Sequence, residues 1–120
     1  MTTKSHRDLD VWKRAMDLAE QVYRLTATFP KDELYGLVSQ MRRASVSVAS
    51  NIAEGAARSS RKEFVHYLHT ALGSLAELET QAILANRLDL ADEPTVFTSI
   101  NSIRKMLLGL IRFLKEKKDD

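Results

Sequence analysis

The chain has 120 residues, 44% hydrophobic and 28% charged, with four Gly, two Pro and no Cys. This fits a single domain, residues 1–120, and excludes a turn-rich β protein, a long disordered tail, disulfides and Cys-held zinc. The net charge is only +2, no apolar run approaches the ~18 residues of a membrane span, and the start MTTKSHRDLD has no hydrophobic signal region, so a cytoplasmic protein without membrane contact is expected.

In residues 8–28, Trp12, Met16, Ala19 and Tyr23, with Ala15 and Val22 beside them, recur at the three- and four-residue steps of one helix face. Asp8 is the expected cap and Pro30 the stop. A second apolar set, Val11, Leu18 and Leu25, lies off that stripe. It exceeds what one thin bundle hides and predicts an oligomer interface.

Residues 32–55 form the second predicted helix, with Leu34, Leu37, Val38, Met41, Ala44, Val48 and Ile52 in helical period. Over residues 44–50 Ser alternates with Val or Ala, imitating a strand. Both flanks keep the helical period, however, and a lone strand would lack a partner. The small side chains are expected instead to let another helix approach closely, with Gly55 as the helix stop.

Ser60 and Glu63 form a capping-box pattern at the start of a third helix, residues 60–87, which carries Phe64, Leu68, Ala71, Leu72, Leu75, Leu78, Ala82 and Ile83. After a loop at 88–91, Asp92, Glu93 and Pro94 signal the fourth helix, residues 93–117. Its stripe is Val96, Phe97, Ile100, Ile103, Leu107, Leu110, Ile111 and Leu114, and Lys115, Lys117 and Lys118 suit its C-terminus. Short connections make neighbours antiparallel, so the predicted fold is an all-α, up-down-up-down four-helix bundle.

Chemical motifs are sparse. Glu63 and His66 have the Glu-x-x-His step of di-iron bundles, but the step occurs once and Glu63 already serves as a cap. His66 and His69 are one turn apart and read as surface or partly buried residues. No phosphate-binding Gly loop, nucleophile elbow or Cys nucleophile is present. No enzyme activity, metal or cofactor is expected.

Charge is better patterned. Arg42, Arg43, Arg58, Arg61 and Lys62 stand against Glu54 alone, whereas Glu77, Glu79, Asp89, Asp92 and Glu93 stand against Arg87. Arg42 and Arg43 lie mid-helix beside Met41 and Ala44, so at least one must face protein. One reading pairs them with Glu77 across helices or subunits. The other joins them to Arg58, Arg61 and Lys62 in one phosphate-contacting patch. Asn51 and Glu54 either bond across to the third helix near His66 or Glu63, or form a solvated polar strip.

Several runs together resemble one family. They are residues 10–12 (DVW), 29–30 (FP) with 33–37 (ELYGL), 40–44 (QMRRA), 50–55 (SNIAEG) and 73–81 (GSLAELETQ). From about Asp8 to Arg112 the chain resembles the 23S rRNA-intervening-sequence protein family. The resemblance implies an all-helical bundle that assembles as a ring, a homopentamer, with a nucleic-acid-binding role and no established enzyme activity. A related group serves as accessory protein to the reverse transcriptase of diversity-generating retroelements. Many relatives have Pro where this chain has Ala49, which implies a reduced kink here.

The expectation is therefore a non-catalytic oligomer that binds RNA or DNA through Arg42, Arg43, Arg58, Arg61 and Lys62, with Asn51, Glu54 and Glu77 as structural polar residues. Binding is expected to be driven by shape and charge, since no aromatic platform accompanies the basic residues in sequence. The alternative is a protein-interaction scaffold whose basic zone docks an acidic partner, its own neighbour included.

Overall fold

A computed structural model describes residues 5–116. The first helix, α1 (Asp10–Thr26), begins after a 3-10 turn at His6–Asp8. Asp8 belongs to that turn, so the expected Asp8 cap is replaced by Leu9, which has extended backbone and makes no side-chain cap bond. Beyond Thr26 the Phe29 amide returns to the Thr26 carbonyl at 3.1 Å, and Pro30, with ψ 152°, turns the chain away.

The core face of α1 departs from the expected one. Val11, Ala15, Leu18, Ala19, Val22 and Thr26 are buried, whereas Met16 and Tyr23 are exposed and Trp12 is half-buried. The Val11 and Leu18 set is thus core, not interface. Both stripes have helical period; the buried one is built of slim side chains that let α1 lie close to its neighbours. The aromatics with a polar atom take the rim, where one end of the ring stays wet.

The second predicted helix is interrupted. A 3-10 turn at Lys31–Glu33 runs into a widened turn at Leu34–Val38, in which Gly36 leaves helical geometry (φ −111°, ψ −107°). Helix α2 (Ser39–Ala56) starts only after it. Leu37 and Val38 reach the core while Leu34 and Tyr35 are left outside. From there α2 continues unbroken through buried Ala49.

Gly55 corrects a further expectation. It lies inside α2, with no positive φ, and Ala57 caps the helix in right-handed conformation. Its role is steric: a Cβ there would stand 2.7 Å from Tyr67 Cβ and 3.0 Å from Phe64 Cδ1. Along the same seam Ser47 Oγ and Ser74 Oγ are 2.8 Å apart. The small residues of α2 do admit a close neighbour.

Helix α3 (Arg61–Arg87) opens at Ser60, whose Oγ accepts from the Glu63 amide at 3.1 Å, the expected cap. It buries Leu68, Ala71, Leu75, Leu78 and Ala82, but Ile83 faces solvent. At its far end the Leu90 amide bonds back to the Ala85 carbonyl at 2.9 Å around Asp89, the one non-Gly residue with positive φ (60°) among the described residues. Left-handed backbone disfavours a side chain, and an acid opposes the negative end of the helix dipole. Asp89→Gly is therefore expected to raise unfolding stability by about 1 kcal/mol, measured as a higher urea midpoint; a lower midpoint would contradict the turn geometry.

Helix α4 (Pro94–Glu116) buries Val96, Ile100, Ile103, Leu107 and Ile111. The expected end at Lys117 and Lys118, and the first four residues, lie outside the described residues. Antiparallel order follows from successive contacts. Gly55 meets Phe64 and Tyr67 while Ser47 meets Ser74; Leu25 shares a groove with Glu93 and Val96 while Arg14 shares one with Ser102 and Ile103. Each helix packs on its chain neighbours, α4 closes on α1, and the four surround one core in a rod of 50 × 19 × 19 Å. No strand occurs among the described residues.

This topology gathers charges at both ends. The 57–60 turn, with Arg58, Arg61 and Lys62, shares its end of the rod with Arg7 ahead of α1 and with Arg112 and Lys115 late in α4, beside Asp8, Asp10, Glu54 and Glu63. The opposite end carries Asp32, Glu33, Asp89, Asp92 and Glu93 beside Arg24, Lys31 and Arg87.

Candidate nucleic-acid interface

Arg42 points from α2 to the last turn of α1. Its Nε donates to Thr26 Oγ1 at 2.9 Å, one terminal nitrogen donates to the Tyr23 carbonyl at 3.2 Å, and the guanidinium lies 4.5 Å over the Tyr23 ring. Buried Thr26 in turn donates to the Val22 carbonyl at 2.7 Å, so its hydroxyl is satisfied twice. Arg42 therefore clamps α1 to α2.

The expected pairing with Glu77 is not formed within the chain. Arg43 and Glu77 are both exposed and make no ion pair among the described residues. The α3 carboxylate that pairs across helices is Glu79, 2.5 Å from Arg104 of α4.

At the other end of α2, Arg58 donates to Glu54 Oε2 at 2.9 Å and to the Tyr67 hydroxyl at 2.7 Å, with its guanidinium 4.9 Å over the Tyr67 ring. Tyr67, against the opposing effect of partial desolvation and with help from Glu54, holds the Arg58 pKa above its ordinary value. Lys62 is exposed in the first turn of α3, and Arg61 is half-buried beside it.

The five basic residues do not form the single patch expected. Arg43 and Arg58 are separated by about 22 Å along α2 at 1.5 Å per residue, which leaves two clusters, one near each end of that helix. Between them Asn51 donates to the Ser47 carbonyl and to Ser47 Oγ at 2.9 and 3.1 Å. With the Ser47–Ser74 contact this makes a short polar chain across to α3, rather than a bond to His66 or Glu63. Glu54 is held by Arg58. Among the described residues no three His, Asp or Glu side chains are placed to share a metal ion.

Sequence reasoning missed the aromatic partners. Tyr23, Tyr35 and Tyr67 stand beside the arginines in space though not in sequence: Tyr23 and Tyr35 line one groove with Arg42 and Arg43, and Tyr67 lies under Arg58.

Comparison with known proteins gives a family and a fold. A family model described as 23S rRNA-intervening sequence protein matches residues 7–110. A similar solved structure, a protein of unknown function from the S23 ribosomal protein family of Bacteroides thetaiotaomicron, superposes with a TM-score of 0.75. The two share 21% identity, over 84% of this chain and 97% of that one, a likeness that carries the fold alone. No curated protein matches.

Proposed function

Since the chain belongs to the 23S rRNA-intervening sequence protein family, we propose that it is a non-catalytic, cytoplasmic bundle that self-assembles and binds RNA or DNA through basic surface. The observation that carries this reading is the placement of exposed Arg43 and Lys62, without ion pairs among the described residues, toward opposite ends of the rod. Arg58 and Arg61 accompany Lys62 in the second cluster. Each cluster offers donors to the phosphates of a backbone.

Assembly multiplies such weak contacts. Exposed Met16 and Val46 on α1 and α2, and Ile83 and Leu108 on α3 and α4, supply apolar surface for it. We take the assembly to be a homopentameric ring, as the family resemblance implies. In that ring Arg43 and Glu77 remain available to each other across subunits.

Replacing Arg58, Arg61 and Lys62 together by Ala is expected to leave helicity and oligomer mass unchanged, because the Arg58–Glu54 pair is exposed and contributes little. Affinity for labelled RNA or DNA should fall, and the slope of log affinity against log salt should flatten by at least about 0.7 for single strands, the share of one phosphate contact. Unchanged affinity and slope in fluorescence anisotropy would remove these residues from the interface.

The gathering of Asp89, Asp92 and Glu93 at the end opposite the basic turn favours one second reading, in which the basic zone docks an acidic protein surface such as that of a neighbouring copy. Light scattering across a salt titration separates the two. An oligomer that dissociates as salt rises supports charge pairing between copies, and one that stays intact while nucleic acid is released supports the leading reading.

A further inference from the structure

The interrupted helix leaves an aromatic side chain standing in solvent. Tyr35 is 92% exposed, far more than any other large apolar or aromatic residue described, although Leu37 and Val38 next to it are core. It overhangs a groove of about 410 Å³ whose walls include Tyr23, Leu34, Ser39, Arg42 and Arg43. No acidic residue lines this groove.

The two arginines have different freedom. Arg42 is fixed by its bonds to Thr26 and Tyr23 and by the ring beneath it. Arg43, one residue on and exposed, keeps its forked donors for an incoming group. A free planar ring, an apolar wall and an uncommitted guanidinium match the three parts of a nucleotide: a base face that stacks, an edge that leaves water, and a phosphate that accepts two parallel hydrogen bonds. A partner helix would need a continuous apolar floor, whereas one wall here is Ser39, Arg42 and Arg43.

We propose that this groove holds one unpaired nucleotide of a single-stranded RNA or DNA, with its base on Tyr35 and its phosphate on Arg43. A duplex presents no free base face, so the groove selects single strands. This deepens the nucleic-acid reading above and rests on it.

The test is anisotropy with a short labelled single strand and a labelled fully paired duplex of two strands, on the full chain and on Tyr35→Ala, Tyr35→Phe and Arg43→Gln. Tyr35→Ala should weaken single-strand binding by about ten-fold and leave the duplex unaffected, while Tyr35→Phe should bind as the parent does. Arg43→Gln should flatten the single-strand salt slope by about 0.7. Since Tyr35 is not in the core, circular dichroism of the variants should match the parent.

Single-strand affinity unchanged in Tyr35→Ala overturns the groove. If that affinity still falls in the Arg58, Arg61 and Lys62 variant, the wider reading stands without it. No binding of either probe at low salt overturns both. Loss of oligomer mass in Tyr35→Ala, with unchanged affinity, assigns the groove to a second copy of the chain and also overturns the proposal.

Discussion

Gly55→Ala should lower the free energy of unfolding by about 1–3 kcal/mol, the usual cost of overpacking a tight contact. The direction is informative because helix propensity alone predicts the opposite, Ala being favoured over Gly by about 1 kcal/mol in a helix interior. The obstruction is the Cβ of Tyr67, which moves only if the α3 backbone moves. Urea unfolding followed by circular dichroism measures the sign. An unchanged or higher midpoint would mean that α2 and α3 are not pressed together at this turn.

Leu18→Ala should be costlier, about 2–5 kcal/mol, because Leu18 is fully buried and its loss leaves a cavity among α1 and its neighbours. Met16→Ala, two residues away on the 39% exposed side, should change protomer stability by under about 0.5 kcal/mol. If Met16 lies between copies, its loss shows as reduced oligomer mass by light scattering, with the protomer fold intact. A large stability loss for Met16→Ala and a small one for Leu18→Ala would return the core to the Trp12 stripe.

That comparison also locates what the sequence could and could not say. Helix number and order were legible because the apolar period persists for many turns, as in Leu68, Leu75 and Leu78 of α3 and Ile100, Ile103 and Leu107 of α4, and because Ser60 and Pro94 mark starts unambiguously. Periodicity does not rank two competing stripes on one helix. The choice between the stripe of Trp12, Met16 and Tyr23 and the set of Val11, Leu18 and Leu25 depends on how closely the neighbours approach, a tertiary quantity.

Gly carries a similar ambiguity. Gly55 had the spacing of a helix stop, yet it answers to Tyr67 across the seam, which no local pattern reveals. Gly36 looked like an ordinary helical position and instead sits at the break. For the candidate interface, residue types and charge signs were readable, but partners were not. Arg42 found Thr26 and Tyr23 rather than Glu77 because α2 turns that side chain toward α1, and the arginines' tyrosine neighbours come from other elements.

Basic side chains stand at both ends of the rod, each among carboxylates: Arg58, Arg61 and Lys62 beside Glu54 and Glu63, and Arg42 and Arg43 toward the end that also carries Asp32, Glu33, Asp89, Asp92 and Glu93. The body is 50 Å long, several times the ~8 Å Debye length at physiological salt. Anything at the surface therefore feels each cluster separately. With carboxylates so close to each cluster, its field fades within a few ångströms, so a polyanion is caught at short-range footholds and not turned from a distance.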